Sequence, residues 1–162
     1  MDVAYQMNEQ YTGNSKKQKN ASLGILWNVI NIYQHSSNIS NRLLGAYDLP
    51  LSQYVLLSLF MSSPEEGRTV TSISHALHQN QPTISKIVQK LLQKGLIAAY
   101  PTAHDARSKI LKITQKGVDV YDHASTTLEG ALEPIFNEWS QPDINMLVSQ
   151  LQMIRSYLET RA

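Results

Sequence analysis

Hydrophobic positions fall at helical spacing over most of this chain, with a strand-like stretch near the middle. Leu23, Leu26, Trp27, Ile30 and Tyr33, then Ile39, Leu43 and Leu44, recur at intervals of three and four. They predict one long helix from Asn20 to about Tyr47, ended by Gly45 and the turn of Asp48, Leu49 and Pro50. Ser52 is the expected cap of a second helix that turns Tyr54, Val55, Leu56, Leu59 and Phe60 inward and reaches Pro64. PEEGR, ending at Arg68, reads as a loop. A short third helix, capped by Thr71 or Ser72, carries Ile73, Ala76 and Leu77.

The next stretch, HQNQPTISKIVQKLLQKGLI, starts polar and becomes strongly amphipathic. Asn80 is a good N-cap, with Thr83 at N3. Pro82 falls in the first turn, where a missing N–H breaks no helical bond. Ile84, Ile87, Val88, Leu91 and Leu92 form one apolar stripe, and Gly95 stops the helix. Two helices joined by the short turn HQN make a helix-turn-helix pattern.

Two β-compatible segments follow, LIAAY (Leu96 to Tyr100) and KILKIT (Lys109 to Thr114), with PTAHDARS between them. Ile110 and Ile113 do not alternate strictly, so the second strand rests partly on its hairpin context. A hairpin in this position is a wing. Thr114 then opens a long helix through Val118, Tyr121, Leu128, Leu132, Ile135, Phe136 and Trp139, weakened or bent at Gly130 and Pro134. SQPD, from Ser140, resembles a capping box with an early proline. The last helix carries Ile144, Leu147, Leu151, Ile154 and Leu158 in a short heptad-like seam made for packing on another helix. The expected fold is mainly α with a small β-wing: a winged helix-turn-helix with N- and C-terminal dimerisation helices. Residues 1–19 read as a mobile polar tail, 51–113 as the winged part, and 20–50 with 114–162 as the helical dimerisation region, all one integrated domain.

Composition narrows the chemistry. The chain has 162 residues, 42% of them hydrophobic, enough for a real core. It has no cysteine, which excludes a disulfide framework, a thiolate zinc site and a thiol redox sensor. The absence of disulfides fits a cytoplasmic protein. No apolar run reaches membrane-spanning length, so no membrane partner is expected. Gly-rich phosphate loops and hydrolase motifs are missing, so the chain does not read as an enzyme, and no cofactor is expected. His75 and His78 stand three apart, but without acidic neighbours they are not read as a metal site.

Charge is localised. The net charge is only +1, yet residues 81–117 hold seven basic side chains against Asp105 alone, and residues 118–162 hold two basic against seven acidic. One basic segment beside an acidic one points to a polyanion-binding face, or to ordinary solvated helix surfaces.

LHQNQPTISKIVQKLLQKGLI and RSKILKITQKG, Arg107 to Gly117, together with the order of elements, resemble the MarR family of bacterial transcription regulators. The likeness runs from about residue 20 to the end and is specific through 77–117. The family's wing commonly carries D-x-R-D-x-R, whereas this chain has TAHDAR: Thr102 replaces the first Asp and His104 the first Arg, while Asp105 and Arg107 remain. A histidine at a wing tip can still enter a narrow minor groove, with a charge that depends on pH.

The resemblance implies double-stranded DNA with a pseudo-palindromic operator as partner, a homodimer, and a small-molecule effector. A recognition helix reads bases with its N-terminal residues. Gln81 can pair with adenine, and Lys86 can reach guanine or phosphate. Thr83 and Ser85 can bond phosphates or base edges, Pro82 can touch a thymine methyl, and Gln89 and Lys90 lie one turn on, toward the backbone. On the wing His104, Arg107 and Lys109 are the candidate contacts. The competing readings are a solubilising face for Lys86, Gln89 and Lys90, and a salt bridge to Asp105 for Arg107. Family effectors commonly bind between the dimer helices and the DNA-binding lobe, where Trp27, Tyr33, His35, Arg42, Tyr54 and His123 are candidates; most of these read more readily as core or surface. A winged-helix module that binds protein without reading DNA is the alternative function.

Overall fold

A computed structural model of the chain describes residues 16–101 and 109–161. Helix α1 spans Lys16–Leu44 and passes into a 3-10 turn, Gly45–Tyr47. Asp48 then takes a left-handed conformation, φ 48°, that turns the chain by about a right angle into α2, Leu51–Met61. Helices α3 (Val70–Ala76) and α4 (Gln81–Gln93) follow, then strands β1 (Ile97–Pro101) and β2 (Lys109–Ile113). The chain ends in α5 (Gln115–Phe136) and α6 (Gln141–Glu159).

Several expected caps move. Ser52 does not cap α2. Its first N–H, on Leu51, donates instead to the Oδ1 of Asn41 at 2.8 Å, a group supplied from α1. Neither Thr71 nor Ser72 is the N-cap of α3: Thr69 is. Its hydroxyl accepts from the Ser72 N–H at 3.1 Å while the Ser72 hydroxyl accepts from the Thr69 N–H at 3.0 Å, a reciprocal box with serine where glutamate is usual. Asn80, Thr114 and Ser140 cap α4, α5 and α6 as expected. Helix α1 begins before Asn20, α2 ends at Met61 rather than Pro64, and α5 ends at Phe136 rather than Trp139, with Pro134 inside it.

The two strands pair antiparallel, Ile97 opposite Ile113 and Ala99 opposite Leu111. Alternation in KILKIT is carried by Leu111 and Ile113, not by Ile110 and Ile113: Leu111 is buried, and Ile113 packs against the core on the same face. The PEEGR segment is not wholly loop. Arg68 exchanges both backbone hydrogen bonds with Leu111, at 2.9 and 2.8 Å, and adds a one-residue third rung to the wing.

The core lies where α2, α3, α4, the strands and the middle of α5 meet, around Phe60, Leu56, Ile73, Ile84, Leu91, Leu111 and Leu128. Val55, expected inside, is exposed. Gly117 is required here: a Cβ would stand 2.1 Å from the carbonyl oxygen of Leu96. The long helices differ. Before Leu44, α1 buries none of its large apolar side chains, and α6 buries no residue at all. No single helix among the described residues is long and apolar enough to cross a membrane.

Candidate nucleic-acid interface

The turn between α3 and α4 is fixed by short-range bonds. His78 adopts a left-handed conformation, φ 49°, and the Gln79 N–H donates to the Ser74 carbonyl at 3.1 Å. The Ser74 hydroxyl donates back to the Gln79 carbonyl. Asn80 Oδ1 then accepts the Thr83 N–H at 3.0 Å, and Gln81 Nε2 reaches Thr71 Oγ1 at 3.3 Å. So α4 starts at a defined place and angle on α3.

Its inner stripe behaves as its spacing predicts: Ile84, Val88 and Leu91 are buried, with Ile87 and Leu92 packed against them. The opposite side is left bare. Gln81, Pro82, Thr83, Ser85, Lys86, Gln89 and Lys90 are all exposed, and α4 carries no acidic residue. Lys86 and Lys90, one turn apart on that side, have no ion-pair partner among the described residues. Gln81 differs from its neighbours, because its amide already has a bond to Thr71.

The basic segment is less uniform than its sequence implied. Lys109 is exposed at the start of β2. Lys94 instead turns inward, at 3.0 Å from Asp48 Oδ2 and 2.9 Å from Gln53 Oε1. Lys116 donates to the Lys94 carbonyl at 2.8 Å. Both are committed within the chain, which linear charge could not reveal. His104 and Arg107, with Asp105, lie outside the described residues, so neither wing contact nor salt bridge is assigned to them.

Residues 47–108 match the family model described as MarR family. That stretch is similar to the DNA-binding part of the MarR family. An uncharacterized HTH-type transcriptional regulator of Bacillus subtilis, YdgG, is 28% identical over 87 residues, covering 51% of this chain and 57% of that protein. Its Staphylococcus aureus counterpart SAV2265 is 26% identical over 93 residues, covering 57% and 62%. The matches thus span about three-fifths of the length of these relatives. Among solved structures, Staphylococcus aureus MarR in complex with salicylate and kanamycin superposes with a TM-score of 0.77 at 21% identity, covering 90% of this chain and 97% of that one. A MepR–DNA complex from the same species gives 0.72 at 21% identity, with 82% and 96% covered. At this identity the likeness shows that the fold is shared.

The six effector candidates are not gathered at one cavity. Trp27, Tyr33, His35 and Arg42 are exposed along α1. His123 is exposed on α5, its Nδ1 2.6 Å from the Asp119 carbonyl. Tyr54 is half-buried, stacked on Tyr121 with centroids 5.0 Å apart, and its hydroxyl lies 3.0 Å from Ser125 Oγ. Burial pushes the Tyr54 phenol above its ordinary value. An open cleft of ≈ 480 Å³ lies elsewhere, at the α5–α6 corner, lined by Trp139, Met146 and Leu147.

Proposed function

We propose that this protein is a dimeric, sequence-specific DNA-binding transcription regulator, a repressor released by a small molecule or another signal. The observation that carries the reading is the outer side of α4. A helix held by its cap and by the α3 turn presents short polar groups at its free face, with two lysines that have no ion-pair partner among the described residues. Lysines left without carboxylate partners suit a phosphate backbone, and Thr83, Ser85 and Gln89 suit base edges or phosphates. The similarly folded MepR has been solved in complex with DNA, which supports DNA as the partner.

Dimerisation is supported by what a single chain leaves bare. Leu26, Trp27 and Ile30 on α1, and Trp139, Leu151 and Leu158 toward the C-terminus, are all exposed. Apolar faces this long mark an interaction surface in a soluble protein. Two copies related by a two-fold axis present two α4 helices, so the operator is expected to be an inverted repeat with half-sites about 10 bp apart. The salicylate complex of the similarly folded MarR supports a small-molecule signal, with Tyr54, His123 and the α1 residues Trp27, Tyr33, His35 and Arg42 as candidates. For the wing, Lys109, His104 and Arg107 are proposed as contacts on the strength of their place in the sequence.

Selection of bound sequences from a random duplex pool, at two salt concentrations, tests the reading. Enrichment of an inverted repeat is the expected result. Failure to bind any duplex would replace it with a protein-interaction module.

A further inference from the structure

Lys94 lies just past the last turn of α4, and its ammonium is paired with Asp48, whose own side chain is 87% exposed. The 13-residue helix is about 20 Å long, so Lys94 is far from the end proposed to read bases. Its side chain is only 23% exposed. An ammonium has three protons to donate, and three acceptors surround this one: Asp48 Oδ2 at 3.0 Å, Gln53 Oε1 at 2.9 Å, and the Asp48 carbonyl. Gln53 is the buried polar side chain of the core. Asp48 is the left-handed residue that turns α1 into α2. The carbonyl of Lys94 meanwhile accepts from Lys116 in the first turn of α5.

One residue therefore joins the end of α4 to the α1–α2 corner, to the first turn of α2 and to the first turn of α5. The joint is made of directional, charge-assisted bonds, beside an apolar core and the neutral hydrogen bonds of Asn41 with the Leu51 N–H, Tyr54 with Ser125 and Thr114 with the Gly95 carbonyl. Apolar packing tolerates small rotations that a three-point hydrogen-bonded anchor does not. We infer that Lys94 is a positioning residue for DNA reading: with Asp48 and Gln53 it fixes the angle of α4 against the long helices, and so the spacing of the two α4 helices in a dimer. This rests on the proposed DNA-binding function. A phosphate contact would require Lys94 to give up at least one of its three acceptors.

The test uses the operator selected by the unmodified protein, and the same operator with two base pairs inserted between its half-sites. Lys94→Met keeps the stem and removes the ammonium. Gln53→Leu removes an acceptor and changes no charge. Both are expected to bind the selected operator about two- to thirtyfold more weakly, the usual size of coupling through residues that do not touch the ligand. Both should also lose most of the discrimination against the lengthened operator, with the salt dependence of binding unchanged. A role in stability alone would lower Tm and leave the spacing preference intact, which overturns the inference. So does a drop of about one in the salt slope for Lys94→Met with Gln53→Leu unaffected, because that is the signature of a phosphate contact. Should Lys94→Met fail to fold, Gln53→Leu decides by the same spacing readout. If the unmodified protein selects no sequence, the DNA-binding reading itself fails, and the positioning role falls with it.

Discussion

Lys86 and Lys94 are eight positions apart in one basic segment and have opposite fates. Lys86 is exposed on the outer side of α4 without an ion-pair partner among the described residues, whereas Lys94 is bonded to Asp48 and Gln53. Lys86→Ala is expected to weaken operator binding by about 1–3 kcal/mol and leave Tm almost unchanged, as measured by titration with labelled duplex and by thermal melting. Equal binding of operator and random DNA by that variant and the parent would remove α4 from the interface. A second residue-scale prediction concerns Tyr54. Its phenol titrates above 10.0, chiefly because burial disfavours the charged form. The folded state therefore holds this proton more tightly than the unfolded chain does. That contribution to stability is complete below pH 10.0 and is lost as pH rises through the higher folded value. Urea unfolding from pH 9 to 11 should show the decline, and Tyr54→Phe should flatten it.

At the scale of elements, local sequence chemistry predicted most starts and stops, and its failures have physical causes. Asn80, Thr114 and Ser140 cap their helices from within three residues, so spacing alone revealed them. The start of α2 is capped by Asn41, ten positions back on another helix, a distance that no local rule spans. Thr69 was hidden because its partner at N3 is Ser72 rather than glutamate or glutamine. Thr69→Ala removes that cap and should cost about 1 kcal/mol in urea unfolding. A change of only a tenth or two would mean that water replaces the cap at little cost. The Arg68 rung escaped notice for a related reason: a single bridging residue has no period to detect. The outer side of α4 was fully legible, because an amphipathic stripe fixes which residues are left over. The wing tip was legible as a departure from the family pattern, and His104 and Arg107 remain proposals made from sequence.

For the whole molecule, one chain buries a compact centre and leaves its long helices uncovered. Leu56, Ile84 and Leu91 are fully buried, while Trp27 is 49% and Leu151 48% exposed. Sedimentation equilibrium is expected to give twice the chain mass. A charge placed in the bare seam, Leu151→Asp combined with Leu26→Asp, should shift the protein toward monomer and abolish preference for an inverted repeat. A double variant that remains a full dimer would place the interface elsewhere.

The sequence by itself determined whatever depends on near neighbours: helical period, most caps, the stop at Gly95, the hairpin after it and the polar face of α4. These follow from backbone geometry and side-chain chemistry within a turn or two. Tertiary structure alone decided what depends on distant groups meeting: the Asn41 cap, the Arg68 rung, the close approach at Gly117, and which lysines stay free. A lysine has the same charge wherever it occurs. Only the acceptors around Lys94, brought from more than forty positions away, make it a joint rather than a contact.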